Sequence, residues 1–172
     1  MPDSPLSPED MRLLPGINDA LTSIISKGYR TFVVTNQPAA AKGKTSLSNL
    51  YEVNHKLSDL LAKEGVFLDA ILMCPHHPSG VPGAKDPALI RECNCRKPKT
   101  GLFEKAAERY GILKESSYMV GDSEGDIAAG QAFGVKTVYL RQGRENRCAD
   151  GPKSDLVLDN LCEFARLITE NR

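Results

Sequence analysis

Four side chains that commonly bind zinc lie in two closely spaced pairs along the chain. Cys74 and His76 form one pair, and Cys93 and Cys95 form the other. Structural zinc sites use four Cys or His ligands in a tetrahedron, with no position left for water. His77 offers a second imidazole that competes with His76. Ordinary buried thiols seldom occur in such pairs, so the spacing predicts a structural Zn²⁺ site.

Two carboxylates, those of Asp122 and Asp126, follow a short apolar segment and Gly121. They lie where a strand would end and a helix would begin. Mg²⁺ prefers such oxygen ligands and keeps waters and substrate phosphate as the others. Alternatively, Asp122 and Ser123 cap the helix and the acids complement its dipole. Capping accounts for one acid more readily than for the pair, which favours a Mg²⁺ site.

Polar groups suited to phosphate occur at two further places. Thr35, Asn36 and Gln37 end an apolar run, and parallel sheets place ligands at that end of a strand. Taken alone, such residues are more often turn formers. Lys97 follows Arg96 and precedes a predicted helix, and a sheltered lysine can neutralise a phosphate in its transition state. The alternative for this basic pair is a solvated surface.

The apolar pattern predicts alternating helices and strands that would position these residues. Helices are predicted over residues 17–25, 46–63, 102–110, 127–133 and 160–169. A buried strand is predicted over residues 29–35, further strands over residues 68–73, 118–120 and 137–140, and a short edge strand over residues 155–158. A long irregular stretch, residues 74–100, carries the zinc candidates. The alternation predicts an α/β fold with a parallel sheet covered on both faces. The series begins with a helix, although crossover units begin with a strand.

Length and composition exclude several classes of protein. At 172 residues, the chain is predicted to form a flexible segment over residues 1–14 and a single domain over residues 15–172. The 22 basic and 22 acidic residues give no net field for nucleic acid or membrane, which argues against a zinc module that binds nucleic acid. The N-terminus has neither a basic start nor an apolar run, and the cysteines cluster as metal ligands do, so we predict a cytosolic protein.

Read together, the motifs resemble the haloacid dehalogenase (HAD) superfamily. They are Val33-Val34-Thr35-Asn36-Gln37, Cys74-Pro75-His76-His77-Pro78, Cys93-Asn94-Cys95-Arg96-Lys97-Pro98 and Gly121 through Asp126. The greatest similarity is to the zinc-containing heptose bisphosphate phosphatases, which are related to the histidinol-phosphate phosphatases. It extends from about Pro8 to Leu161. The resemblance implies a Rossmann-like fold that hydrolyses a phosphate monoester of a small sugar-like substrate with Mg²⁺.

The resemblance also implies roles for individual residues. Thr35 and Asn36 would bind the transferring phosphoryl group, and Lys97 would neutralise it as the catalytic residue. Asp122 would hold Mg²⁺ with the support of Asp126. The substrate would also meet Gln37, Lys42 and Arg96. Zn²⁺ would be held by Cys74, His76, Cys93 and Cys95, with His76 preferred over His77.

Three positions depart from the family pattern near the substrate. Pro38 has no N–H to offer a phosphate. Lys42 stands where the family usually has an arginine, and it keeps the charge without the bidentate fork. Ser123 stands where a lysine that contacts the substrate is common. These differences affect recognition of a second phosphate.

The largest departure is the first motif of the family, an apolar strand that runs into Asp-x-Asp. Its first carboxylate forms the aspartyl-phosphate, and the second transfers the proton of the leaving group. Asp3 and Asp10 follow no strand and have no aspartate two residues on. We therefore expect the chain as written to be inactive. The alternative is a non-catalytic relative that keeps zinc and phosphate binding for an interaction or regulatory role.

The same departure has a structural consequence. The family's first strand lies in the middle of the sheet, so a chain without it exposes two strand edges. We expect such a chain to be unstable, to aggregate or to recruit a substitute strand. With the strand restored, we expect a monomer.

Overall fold

The computed structural model describes residues 4–79, 86–142 and 153–170, and strands alternate with helices along them. The helices are α1 (Ile17–Ser26), α2 (Leu47–Ala62), α3 (Gly101–Tyr110), α4 (Glu124–Phe133) and α5 (Leu161–Glu170). The strands are β1 (Phe32–Asn36), β2 (Ala70–Cys74), β3 (Tyr118–Gly121), β4 (Lys136–Leu140) and β5 (Leu156–Leu158). All three strand pairs are parallel, which confirms the predicted α/β class. Among the helices described, none is both long and apolar enough to cross a bilayer.

The strands form two sheets, one with the order β1-β2 and the other with the order β3-β4-β5. Contacts divide the described residues into two compact units. The first unit comprises those within Met1–Asn18 and Arg30–Cys93, and the second comprises those within Asp19–Tyr29 and Asn94–Arg172. In the described part of the chain, β1 pairs with β2 alone and β3 pairs with β4 alone. The single domain over residues 15–172 stays a prediction.

The prediction of a buried strand over residues 29–35 is wrong in its start and in its burial. The strand begins at Phe32, and all five of its residues are half-buried. The preceding residues bind a carboxylate instead, because Arg30 Nε lies 2.7 Å from Asp69 Oδ1 and the Thr31 N–H donates to Asp69 Oδ2 over 2.8 Å. Pairing on one side only, among the described strands, explains the partial exposure of β1.

In the first unit, α2 is the crossover helix between β1 and β2. Ser46 caps it by accepting a hydrogen bond from the Asn49 N–H over 3.1 Å. The helix has a polar face and an apolar face. The apolar face contains the buried residues Leu50, Val53 and Leu61. Leu50 packs in a small cluster with Ala40, Ala41 and Leu89, which anchors the segment after β1.

The described residues before α1 lie against the same helix. The Leu6 carbonyl accepts hydrogen bonds from Thr45 Oγ1 over 3.0 Å and from Asn49 Nδ2. A 3₁₀ turn over Pro8–Asp10 follows. These contacts define a path for the segment, whereas its predicted flexibility is a statement about motion and stays a prediction.

The second unit has the larger core. Its buried residues come from α1, β4, β5 and α5, and they are Ala20, Ile24, Val138, Leu140, Leu158, Phe164, Ala165 and Ile168. Asp155 fixes the approach to β5, because its Oδ2 accepts hydrogen bonds from the N–H and the hydroxyl of Thr137 over 2.7 and 2.8 Å. Strands β4 and β5 contribute apolar side chains to this core. The polar side chains of the candidate site lie elsewhere in the unit, at the end of β3 and the amino end of α4.

Candidate functional site

The two pairs of zinc candidates come together in the structure. Cys74 ends β2 and is fully buried. Its Sγ lies 3.6 Å from Cys93 Sγ and 3.7 Å from His76 Nδ1. The ligand atoms of these three residues and of Cys95 all lie within 4.8 Å of one another.

These distances fit a tetrahedral zinc site. A metal about 2.3 Å from two thiolate sulfurs in a tetrahedron places the sulfurs about 3.8 Å apart, and an imidazole nitrogen comes slightly nearer. The observed separations of 3.6 and 3.7 Å are edges of that size. Four soft or borderline ligands fill a tetrahedron completely, so the donor set suits a structural ion without an open position.

His77 is placed differently from His76. Its Nδ1 lies 2.6 Å from the Ser79 carbonyl oxygen and 3.1 Å from the Ser79 backbone nitrogen. Its backbone forms a parallel bridge with Ile90. His77 therefore contacts Ser79 and Ile90 of the loop, and His76, not His77, belongs to the cluster.

The imidazole of His76 has a cationic neighbour. Arg91 Nη2 lies 2.9 Å from His76 Nε2, on the side of the ring away from Cys74. Burial lowers the pKa of His76 below its ordinary value, and the nearby Arg91 guanidinium acts in the same direction. Both effects favour the neutral imidazole, which is the form that binds metals.

Thr35 and Asn36 lie at the carboxyl end of β1, in register with Met73 and Cys74 of β2. Gln37 follows, and its backbone N–H donates to the Cys74 carbonyl over 2.9 Å. The strand end that carries the predicted phosphate ligands is thus joined directly to Cys74, a predicted zinc ligand.

The Gln37 side chain contacts α2. Its Nε2 donates to Asn54 Oδ1 over 3.2 Å, and Asn54 Nδ2 lies 3.3 Å from Met73 Sδ. Asn54 is a buried polar residue that the sequence analysis missed. The available signal was an amide on the apolar face of α2, four residues after Leu50, where a hydrophobic residue is expected.

Lys42 lies in a compact turn after β1. The Lys42 N–H donates to the Pro38 carbonyl over 3.0 Å, and the Lys44 N–H donates to the Ala39 carbonyl over 2.9 Å. Ala40 and Ala41 are buried beneath the turn. Pro38 therefore contributes an acceptor to the turn, and Lys42 is held on a fixed backbone.

In the second unit, Lys97 and Asp126 form a buried ion pair. Lys97 Nζ lies 2.6 Å from Asp126 Oδ1, and each side chain is 10% exposed. Asp126 Oδ2 accepts a hydrogen bond from the Ser123 N–H over 3.2 Å, and Ser123 Oγ accepts one from the Asp126 N–H over 3.2 Å. Two motifs far apart in sequence therefore meet at the amino end of α4.

The charged side chains of these two motifs lie in different surroundings. Asp126 has one oxygen on Lys97 and the other on the backbone of Ser123, so it holds the start of α4 and the lysine together. Asp122 is half-buried at the end of β3 and directly precedes the capping residue. Arg96, which precedes Lys97, is also half-buried. The amino end of a helix carries partial positive charge, so this end of α4 suits an anion.

Gly121 is required by the close approach of Asp126. A Cβ at Gly121 would lie 2.4 Å from Asp126 Cβ, a distance that forces the backbone apart. Gly121→Ala is therefore expected to lower the free energy of unfolding by about 1–3 kcal/mol, measured by denaturant unfolding.

Gly125 provides the matched control. A Cβ there has its nearest neighbours at 3.8 Å (Ser123 Oγ) and 4.0 Å (the Lys97 carbonyl), and the position is within α4. Gly125→Ala is expected to be neutral or to stabilise by up to about 1 kcal/mol through helix propensity. Equal destabilisation by both substitutions would contradict the proposed packing of Asp126 on Gly121.

Comparisons with known proteins point in one direction. A HAD-hydrolase-like family model matches residues 94–164. The D-glycero-beta-D-manno-heptose-1,7-bisphosphate 7-phosphatase of Haemophilus ducreyi is 36% identical over 158 residues, which cover 91% of this chain and 84% of that protein. The protein of the same name from Pseudomonas putida is 34% identical over 155 residues, covering 89% of this chain and 82% of its own.

A solved structure agrees with these relatives. The D,D-heptose 1,7-bisphosphate phosphatase from B. bronchiseptica, complexed with magnesium and phosphate, superposes with a TM-score of 0.80 at 28% identity. The superposition covers 97% of this chain and 89% of that chain.

Proposed function

The chain belongs to the heptose bisphosphate phosphatase family of HAD-like hydrolases. We propose that it binds a phosphorylated sugar at a Mg²⁺ site of the kind that hydrolyses phosphate monoesters. The observation that carries this proposal is the buried Lys97–Asp126 pair at the amino end of α4, where Asp122 directly precedes the capping residue Ser123. The relatives named above act on heptose bisphosphate, which makes that compound the first substrate to test.

Lys97 is the cation proposed to neutralise the phosphoryl group. An ammonium group has three N–H donors, and one of them is directed at Asp126 Oδ1. The Asp126 contact holds the lysine in place, and its positive charge is proposed to attract the phosphoryl oxygens. Because this positive charge is largely withdrawn from water, it stabilises developing negative charge more strongly than a solvated lysine would.

Asp122 is proposed as the direct carboxylate ligand of Mg²⁺, with Asp126 in a supporting position. Mg²⁺ in phosphoryl-transfer sites takes one or two carboxylates and completes its shell with waters and substrate oxygens. When bound, it withdraws charge from the phosphoryl oxygens. Asp126 supports the site by orienting Ser123 and Lys97, since its two oxygens contact those residues.

The remaining polar candidates are assigned to substrate contacts. We assign Thr35 and Asn36 to the phosphoryl oxygens, because they project from the carboxyl end of β1. Gln37 acts mainly through its link to Asn54 and Cys74. Lys42 and Arg96 supply positive charge for other anionic or hydroxyl groups of the sugar.

Cys74, His76, Cys93 and Cys95 are proposed to bind a structural Zn²⁺. Their mutual distances and the complete set of four donors support this assignment. The ion would fix the loop that joins β2 to the Arg96–Lys97 segment, and no chemical step is assigned to it.

Within its 172 residues the sequence contains no two aspartates separated by one residue. We therefore propose that this chain binds its ligand without turnover when it is alone. The alternative function is a non-catalytic relative that keeps zinc and phosphate binding. The two functions are distinguished by supplying the missing carboxylates.

Phosphate binding tests the proposal directly. With Mg²⁺ present, Lys97→Met is expected to weaken the binding of inorganic phosphate, measured by isothermal titration calorimetry, by about 10-fold or more, because a charge-assisted hydrogen bond contributes about 1.5–3 kcal/mol. Lys99→Met is the matched control, since Lys99 lies two residues later and is exposed. It is expected to bind phosphate as the unmodified chain does.

The Lys97 variant leaves Asp126 as a buried carboxylate without its lysine, which is itself destabilising. Lys97→Met combined with Asp126→Asn removes that charge, so loss of phosphate binding in this double variant beyond the loss in Asp126→Asn alone is attributed to Lys97 and not to an unpaired carboxylate or a weakened Mg²⁺ site. Equal phosphate affinities for the unmodified chain and both Lys97 variants would overturn the proposal.

A further inference from the structure

The contact between Arg91 and His76 restricts the imidazole. A guanidinium has N–H donors and no acceptor. Arg91 Nη2 lies 2.9 Å from His76 Nε2, so Nε2 must present its lone pair to make this hydrogen bond. A neutral imidazole then carries its proton on Nδ1, the atom that faces Cys74 Sγ at 3.7 Å.

Metal binding through Nδ1 requires the opposite arrangement. The Nδ1 lone pair must then point to the metal, and the proton of the neutral ring resides on Nε2. Two N–H donors would face each other across the 2.9 Å that separates Arg91 Nη2 from His76 Nε2. Histidines that bind metals usually donate this second N–H to a carboxylate, a carbonyl or water. Arg91 offers none of these acceptors.

We propose that Arg91 competes with the metal for His76, so that zinc binding at Nδ1 displaces the guanidinium from Nε2. This inference rests on the zinc site of the proposed function. The backbone of Arg91 stays fixed by its N–H, which donates to the His77 carbonyl over 3.1 Å. Its side chain is exposed and has room to turn away. Arg91 thus opposes metal loading and is released by it.

The proposal is tested by whether substitution of Arg91 raises or lowers the affinity for zinc. Arg91→Met is expected to tighten zinc binding by about 3- to 10-fold, the equivalent of one ordinary hydrogen bond, in competition with a chromophoric chelator under reducing conditions. Arg91→Glu is expected to tighten it further, because its carboxylate can accept from Nε2–H. A residue that supports the site would behave oppositely, since loss of such a residue typically weakens metal binding by about 10- to 100-fold.

Two controls separate the contact from the general electric field. Lys99→Met removes a positive charge from an exposed side chain four residues after Cys95 and is expected to leave zinc affinity unchanged. Arg91→Lys keeps a cation that has only donors, and is expected to resemble the unmodified chain. The gain from Arg91→Met should also persist in 1 M salt, where the screening length falls to about 3 Å.

Nitrogen NMR of the histidine side chains follows the proton itself. The His76 proton is expected on Nδ1 in the chelator-treated chain and on Nε2 in the zinc-loaded chain. A chain that binds no zinc at all would defeat the proposed site. A chain that binds zinc while Arg91→Met and Arg91→Glu leave its affinity unchanged or weaker would overturn the competition and leave the site standing.

Discussion

The 172-residue chain is expected to release no inorganic phosphate from heptose 1,7-bisphosphate in the presence of Mg²⁺, whereas a chimera with a supplied nucleophile is expected to turn it over. The chimera carries, before Pro8, an apolar strand that ends in Asp-x-Asp, the first motif that the family resemblance implies. Phosphate release is expected to rise by about 10⁴-fold or more, the scale on which enzymes lose rate when a nucleophile is removed. A colorimetric phosphate assay with purified protein measures it.

The effect is expected to be large because the residues of this chain can bind the phosphoryl group, whereas the grafted carboxylates perform the chemical steps. Lys97 and the carboxylates near α4 can bind and neutralise a phosphoryl group, but Asp126 is committed to Lys97 and Ser123. A covalent phosphoryl intermediate needs a carboxylate aimed at phosphorus, and departure of the sugar needs a proton donor. The family resemblance implies that both come from its first motif, Asp-x-Asp, which the graft supplies.

The control for the chimera is the same graft with its two aspartates replaced by asparagines. It restores the strand without the chemistry, so it is expected to be as stable as the active chimera and to release no phosphate. Size-exclusion chromatography of both proteins tests the expected monomer. Rapid Mg²⁺-dependent turnover by the 172-residue chain itself would refute the proposed lack of turnover. A stable chimera that binds phosphate without hydrolysis would favour the non-catalytic alternative.

Local sequence signals predicted most of the regular structure. The apolar stripe placed α2 within a residue at each end, and the Gly134 that ends α4 has the left-handed backbone expected of a helix terminator. The start of β1 was misplaced because Arg30 and Thr31 bind Asp69, which lies 39 and 38 residues away. A carboxylate so distant leaves no trace in the pattern around residue 30.

The candidate site was also predicted only in part. The tight Cys and His spacing predicted the three cysteines of the metal cluster, whereas the preference for His76 over His77 came from the family resemblance. The ion pair of Lys97 with Asp126 and the contact of Arg91 with His76 were not predicted. Each depends on where a side chain points after the backbone has folded, and a single sequence carries no periodic signal for such a contact.

Removal of one zinc ligand is expected to have the second large effect. His76→Ala is expected to lower zinc affinity by at least about 10³-fold, because structural sites of four ligands bind Zn²⁺ with about 10–16 kcal/mol and depend on each donor. It is also expected to lower the melting temperature. Metal analysis after gel filtration and thermal unfolding with and without a chelator measure both effects.

His77→Ala is the matched control, since it removes the neighbouring imidazole and leaves the cluster intact. Its ring contacts Ser79, so it is expected to keep one zinc per chain and to lose only a little stability. Cys162→Ser controls for loss of a thiol, because Cys162 lies on α5 outside the cluster. If His77→Ala lost its zinc while His76→Ala retained it, the ligand assignment would be reversed, and the competition with Arg91 would lose its basis.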